Sequence, residues 1–387
     1  MAEVAVTRKG QQRIEQGHLW IYRSDITLQG KDPSPGSIVK VLSAKKEFLG
    51  QAFYSSLSQI ALRMLTSSKE NIDDNFWKKR LQTAFNLRNK VVNNAEAYRL
   101  LHGEADLIPS LVIDRYQNHF VIQTLSQGTD LLKNTWVKLL VELFQPEAIV
   151  ERNDVKVRKL EGLSEQIGLL MGSLPKELTV KQNSLAFYAD LLEGQKTGLF
   201  LDQRENHLTA QKYAQGKALD CFTFNGGFAL NMAQTANTVL AVDVSENAIT
   251  QAKKNATLNN VTNISFEVAN VFDLLKSLDE QKELFDIIVL DPPAFAKNRG
   301  AVTAAIRGYK EINLRAIKLL KPGGILISCT CSYNVSEEVF LGIIQSAAID
   351  AGRQLQLLEK RVQSRDHPIL LSVSETYYLK CMILRVL

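Results

Sequence analysis

An α/β fold, with helices on both faces of a mostly parallel sheet, is what the sequence predicts for residues 191–387. Three observations carry that expectation. Strand-sized apolar runs alternate with helical stretches from about Gly216 onward. A glycine-bearing loop follows the first of these strands, and an acidic residue ends the second. Ligands in such Rossmann-like sheets bind beyond the carboxyl ends of the strands, which is where both features fall.

The elements follow in order. Within residues 1–72, apolar or alternating runs at 36–42, 48–54 and 60–65 predict strands, the first preceded by the turn cluster Asp32-Pro33-Ser34-Pro35-Gly36. This reads as a small β-rich, barrel-like domain. Residues 73–190 read as a central α+β domain. Asp73 or Asp74 caps a helix over 75–92, and strands at 111–116 and 120–124 flank a Gln117-Asn118 turn. A helix over 131–144, a strand at 148–151 and a hairpin of 178–181 with 185–189 complete it. In the third domain the expected strands are 217–221, 239–243, 264–268, 285–290, 325–329, 355–363 and 377–384. The expected helices are 228–234, 245–259, 271–278, 302–320 and 336–351.

Composition narrows the class. With 45% hydrophobic and 22% charged residues the chain is neither disordered nor fibrous. No apolar run approaches the roughly 20 residues of a membrane span. Four cysteines make no disulfide framework and no Cys/His cluster has zinc spacing, so no metal is expected and a reducing cytoplasm is the expected location. Residues 1–70 hold ten Lys/Arg against six Asp/Glu, most of the formal excess of +5, which suits phosphate contacts in the first domain.

The loop Asp220-Cys221-Phe222-Thr223-Phe224-Asn225-Gly226-Gly227-Phe228 is not the G-x-G-x-x-G of a pyrophosphate site. An acid, Asp220, stands beside it instead, and Asp243 ends the next strand, where a carboxylate accepts ribose hydroxyls. S-adenosylmethionine carries a sulfonium and an amino group and no phosphate, so an acid there makes electrostatic sense. Asn270, after the third strand, is either an adenine contact or a helix cap.

Asp291-Pro292-Pro293-Ala294-Phe295 follows the fourth strand; two prolines stiffen the backbone that presents Asp291. Phe295 either stacks on a flat substrate or joins the core. The fifth strand runs into Cys329-Thr330-Cys331-Ser332, with Cys331 past its end and Cys329 inside it. A thiolate adding to carbon 6 of a cytosine makes carbon 5 able to accept a methyl group. Asp291, if protonated, would stabilise the charge at ring nitrogen 3.

These motifs resemble those of RNA 5-methylcytosine methyltransferases, and nearly the whole chain resembles the bacterial 23S ribosomal RNA (cytosine-C5)-methyltransferase family. Further matching segments are Arg8-Lys9-Gly10 with Gly17-His18-Leu19-Trp20-Ile21-Tyr22, then Leu107 to Tyr116, and Lys196-Thr197-Gly198-Leu199-Phe200-Leu201-Asp202-Gln203-Arg204. The resemblance implies an N-terminal PUA-like RNA-binding domain, a central domain and a C-terminal class I methyltransferase domain. It implies S-adenosylmethionine as methyl donor and 23S rRNA as partner, with no membrane partner, and a homodimer is compatible with it. Cys331 and Asp291 would be catalytic. Asp220, Phe222, Asn225, Gly226, Gly227, Asp243, Asn270, Phe200, Asp202 and Gln203 would bind the cofactor. Lys196, Arg204 and Phe295 would meet the substrate. One departure from the family pattern is Ala294, where many relatives carry a second cysteine that helps release product, so the base for the carbon 5 proton is unassigned. Two alternatives remain: a guanine-nitrogen rRNA methyltransferase, which needs no thiol, and an RNA-binding protein with an inactive methyltransferase fold.

Overall fold

The structure, a computed structural model, describes residues 1–27, 32–296 and 299–387, with residue 299 described in its backbone alone. The chain divides into two compact units. One comprises Met1–Val180, Ala189–Leu201 and Arg365–Thr376; the other comprises Lys181–Tyr188, Asp202–Ser364 and Tyr377–Leu387.

The first unit holds a six-stranded and a five-stranded sheet. The expected strands of the six-stranded sheet are Ile38–Leu42, Phe48–Tyr54 and Ile60–Thr66. Three short ones join them: Glu3–Val6, Trp20–Tyr22 and Ile26–Thr27. Glu3–Val6 runs parallel to Ile38–Leu42, and Val4, Val6, Ile21, Val39, Val41 and Leu62 fill the interior. The helix Arg8–Glu15 is absent from the sequence expectation because its eight residues are mostly polar; the Thr7 hydroxyl caps it by accepting from Gly10 N at 3.2 Å.

The five-stranded sheet contains Ala97–His102, Leu111–Tyr116, His119–Thr124, Ala148–Arg152 and Ile167–Gly172. Helix Asp74–Val91 starts at Asp73, whose carboxylate accepts from Phe76 N at 3.0 Å. The single helix expected over 131–144 is two, Gln127–Leu131 and Lys133–Phe144. Ser126 and Thr129 form a capping box that starts the first early, and the chain kinks at Leu132. The Trp136 indole N–H donates to Thr129 O at 2.8 Å across that kink.

The second unit is a seven-stranded sheet. Its strands are β1 (Lys217–Cys221), β2 (Thr238–Asp243), β3 (Ile264–Val268), β4 (Phe285–Leu290), β5 (Leu320–Thr330), β6 (Leu355–Arg361) and β7 (Lys380–Val386). The spatial order is 3-2-1-4-5-7-6. Strands β1 to β5 pair in parallel, while β7 lies antiparallel between β5 and β6. The helices are α1 (Arg204–Tyr213), α2 (Gly227–Met232), α3 (Glu246–Leu258), α4 (Val271–Glu280), α5 (Val302–Leu319) and α6 (Glu337–Asp350).

Successive residues of a strand face opposite sides, so the sheet feeds two cores. Leu219, Ile288, Leu290 and Leu326 pack with Leu275, Tyr309, Ile312 and Phe340 of α4, α5 and α6. Ala218, Ile287, Val289 and Ile327 pack with Ala210, Phe228 and Met232 of α1 and α2. Both faces being covered explains why the strands read as continuous apolar runs. Ser245, Asn270 and Ser336 cap α3, α4 and α6. Among the described residues no helix is long and apolar enough to cross a membrane.

Candidate active site

The strand order reverses between β1 and β4, and open α/β sheets bind ligands at that crevice. Cys221, the last residue of β1, pairs with Leu290, the last of β4. Asp220 and Asp291 therefore flank the reversal point on adjacent strands. Both residues lie within the second unit.

Asp220 is fully buried. Its Oδ2 accepts from the Thr223 hydroxyl at 2.6 Å and from Ala229 N at 2.8 Å, whereas Oδ1 has no hydrogen-bond partner. Burial pushes its pKa up to about 7. The Thr223 and Ala229 donors act against that rise, and the nearby Asp291 and Asp243 carboxylates add to it. Among the described residues this Oδ1 is a buried carboxyl oxygen without a donor, with the carboxylates of Asp291 and Asp243 nearby.

The loop after β1 is bent by three left-handed residues: Phe222 at φ 66°, Phe224 at φ 50° and Gly226 at φ 88°. Phe224 N donates to Asp243 Oδ2 at 2.9 Å, and Ser245 N donates to Oδ1 at 2.9 Å. Asn255 Nδ2 donates to Asn225 O at 2.9 Å. The carboxylate of Asp243 is thus held in place by two backbone amides while keeping lone pairs for further donors. Gly227 has a packing reason as well as a ligand one: a Cβ there would lie 2.4 Å from His207 Cε1. That imidazole is buried, meets Phe228 edge-on at 4.5 Å, and burial pushes its pKa down to about 3, so it is neutral.

On the other side of the reversal, Asp291 Oδ1 accepts from Gln203 Nε2 at 2.9 Å. Asn206 Nδ2 donates to Gln203 Oε1 at 2.7 Å, which sets the Gln203 amide, and Arg361 Nε donates to Asn206 Oδ1 at 2.9 Å. Gln203, expected at the cofactor, is in the structure a hydrogen-bond donor to Asp291. Cys331 follows the end of β5, the neighbour of β4, and is partly exposed. Cys221, Cys329 and Cys381 are buried, the last two paired across β5 and β7. Among the described residues none of the four forms a disulfide.

Hydroxyls join the loops after β4 and β5. Thr330 Oγ1 donates to the Tyr309 hydroxyl at 2.8 Å, and the Tyr309 hydroxyl lies 2.9 Å from Ser332 Oγ. Ala296 N donates to Ser332 Oγ at 3.2 Å. Phe295 rests on Tyr309 at 4.6 Å between ring centroids, with Phe272 at 6.1 Å. Phe295 is partly buried and packs against the core. Asn270 is exposed and caps α4, with its Oδ1 accepting from Phe272 N at 2.9 Å.

The segment 196–204 is split by the unit boundary. Lys196 and Phe200 belong to the first unit, where the Lys196 ammonium sits 4.1 Å from the Phe200 ring centroid. Asp202, Gln203 and Arg204 belong to the second. Asp202 Oδ2 accepts from the Tyr378 hydroxyl at 2.8 Å, and Arg204, expected at the substrate, is 2% exposed. Tyr309, Asn206 and Arg361 escaped the sequence analysis. Only a long-range fold brings them to the strand ends, and no local spacing signals them. Among the described residues no group of three metal-ligating side chains forms.

The donor set fits S-adenosylmethionine: an unpartnered buried carboxyl oxygen for its positive head and a backbone-anchored Asp243 for ribose hydroxyls. Comparisons with known proteins agree with this architecture. Residues 4–67 match the PUA-like domain family, and residues 213–365 match a methyltransferase domain family. The chain is 41% identical over 379 residues to the ribosomal RNA large subunit methyltransferase I of Tolumonas auensis, covering 96% of each chain. It is 39% identical over 396 residues to the protein of that name from Vibrio parahaemolyticus, covering all of both. A crystal structure described as a methyltransferase complexed with SAH superposes with a TM-score of 0.85 at 19% identity over the full length of both chains, a likeness of fold. Identity of this level across the whole length places the chain in the ribosomal RNA large subunit methyltransferase I family.

Proposed function

We propose that this enzyme methylates carbon 5 of a cytosine in 23S ribosomal RNA through a covalent adduct with Cys331. S-adenosylmethionine, the methyl donor, supplies an electrophilic methyl carbon. One observation carries the reading: Cys331 alone of the four cysteines is open to solvent, and it stands at the end of the strand beside Asp291.

Asp220, ionised, would neutralise the positive head of the donor, and Asp243 would orient its ribose. The Cys331 thiolate adds to carbon 6, and the electron pair of the 5,6 double bond becomes available at carbon 5. Asp291, which accepts from Gln203, would if protonated donate to ring nitrogen 3 and offset the charge that addition creates. After transfer, loss of the carbon 5 proton to a base returns the electron pair and expels the thiolate. The hydroxyl frame of Tyr309, Thr330 and Ser332 keeps the two loops in register during these steps. The division at residues 72 and 190 belongs to this reading, with the PUA-like domain holding RNA through phosphate contacts and shape. Every residue invoked comes from a single chain.

Cys331→Ala is expected to lose turnover by at least about a thousandfold while binding S-adenosylmethionine as before. Nucleoside mass spectrometry of the methylated rRNA is expected to show 5-methylcytidine. Full activity in that variant, or methyl on a guanine nitrogen, overturns the reading.

A further inference from the structure

We propose that the buried ammonium of Lys380 positions the Cys331 loop and stabilises the Cys331 thiolate, a role that rests on Cys331 being the nucleophile. Lys380 is the first residue of β7, the antiparallel strand between β5 and β6, and it pairs with Thr330. Thr330 is the residue before Cys331, so the register of that strand pair sets the lysine beside the base of the loop. The Nζ lies 3.5 Å from Ser332 O and 3.4 Å from Tyr378 O. Both are long for hydrogen bonds, so what the ammonium contributes is chiefly its field.

Lys380 is 2% exposed, and lysine is almost never buried to that degree without a counter-charge. Burial draws its pKa below the ordinary lysine range, and Cys331 and Glu337 act in the opposite direction. The Tyr377 ring, at 5.1 Å, and the carbonyl oxygens of Ser332 and Tyr378 also face it. Glu337 is engaged elsewhere: its two carboxylate oxygens accept from Lys360 Nζ at 2.6 Å and from the Tyr377 hydroxyl at 2.9 Å. Attraction between charges is mutual, so whatever Cys331 does to favour the ammonium, the ammonium does to favour the thiolate. The loop is then fixed from two sides, by the Tyr309 hydroxyl frame and by Lys380. Lys380 is a positioning residue: it is too buried to touch a base in the crevice.

The test uses the full-length enzyme and iodoacetamide. Because the other three cysteines are buried, alkylation followed by peptide mass spectrometry reports on Cys331. The midpoint of its pH profile is expected to move up by about one pH unit in Lys380→Met. Lys380→Arg, which keeps the charge, is expected to restore most of that shift. The acid limb of the kcat/KM profile should move with the midpoint, with KM for RNA little changed. If Lys380→Met does not fold, Lys380→Gln against Lys380→Arg makes the same comparison. An alkylation midpoint equal to that of the wild type in a folded charge-free variant overturns the proposal. Turnover surviving in Cys331→Ala would instead remove the nucleophile, and the two failures are read from separate experiments.

Discussion

Asp220 is the residue at which burial, hydrogen bonding and neighbouring charge meet with the largest consequence. Its folded pKa of about 7 stands above the ordinary carboxylate value of 3.8, so the folded chain holds this proton more tightly than the unfolded one. In the ligand-free protein, its contribution to stability is therefore full below the unfolded value and is lost as pH rises toward 7. A cationic methyl donor works the other way, because it favours the ionised carboxyl. Affinity for S-adenosylmethionine measured by calorimetry is expected to weaken several-fold between about pH 8 and about pH 6. Asp220→Asn should bind weakly at both and show a flat profile; an unchanged pH dependence in that variant would assign the effect to another group. The acid itself was legible in the sequence from its place before a glycine loop. Its protonation behaviour was not, since that arises first from burial in the assembled fold, with Asp291 and Asp243, 71 and 23 positions further along the chain, adding to it.

Elements, rather than single residues, decide how the loops are held. The turn into α2 needs Gly226 for its φ of 88° and Gly227 for the His207 ring packed against it. Gly227→Ala is expected to cost about 1–3 kcal/mol, visible as a lower thermal midpoint, because His207 is wedged against Phe228 and has little room to yield. A midpoint equal to wild type would mean that the ring moves freely. The strong alternation of strand and helix made β1 to β4 and the helices α2 to α6 readable to within a few residues, while β5 begins five residues earlier than expected and α1 was not foreseen. The helix break at Leu132 and the early start at Gln127 escaped because a Ser/Thr capping box overrode a continuous apolar period. β7 was legible as a strand but not as an antiparallel insertion, since strand direction and neighbour are set by packing between distant segments.

At the scale of the molecule, the chain does not divide simply along its length. Residues Arg365–Thr376 follow β6 yet belong to the first unit. There Asp366 Oδ2 accepts from Arg99 N at 2.8 Å and Asp366 O accepts from Arg88 Nη2 at 2.8 Å. Arg88 is itself buried and paired with Asp106 at 2.5 Å. Asp366→Ala should destabilise the protein by about 1–3 kcal/mol, because it withdraws a fully buried carboxylate acceptor from the partly buried Arg99 amide; denaturant titration would show the midpoint fall without a change in slope. An unchanged midpoint would show that the segment docks without that carboxylate.

By itself the sequence determined the class of the protein. Hydrophobic periodicity specified the alternating strands and helices, and residue types at strand ends raised the expectation of a cofactor crevice with a thiol beside it. Those signals are local, because the side-chain period of a strand or helix and the chemistry of a turn are expressed within a few residues. Tertiary structure alone decided which groups act on which. The Gln203–Asp291 hydrogen bond, the Tyr309 frame and the place of Lys380 beside Thr330 each depend on how segments far apart in the chain pack and pair. Burial and electrostatic fields are properties of such assembled neighbours, and no window of sequence contains them.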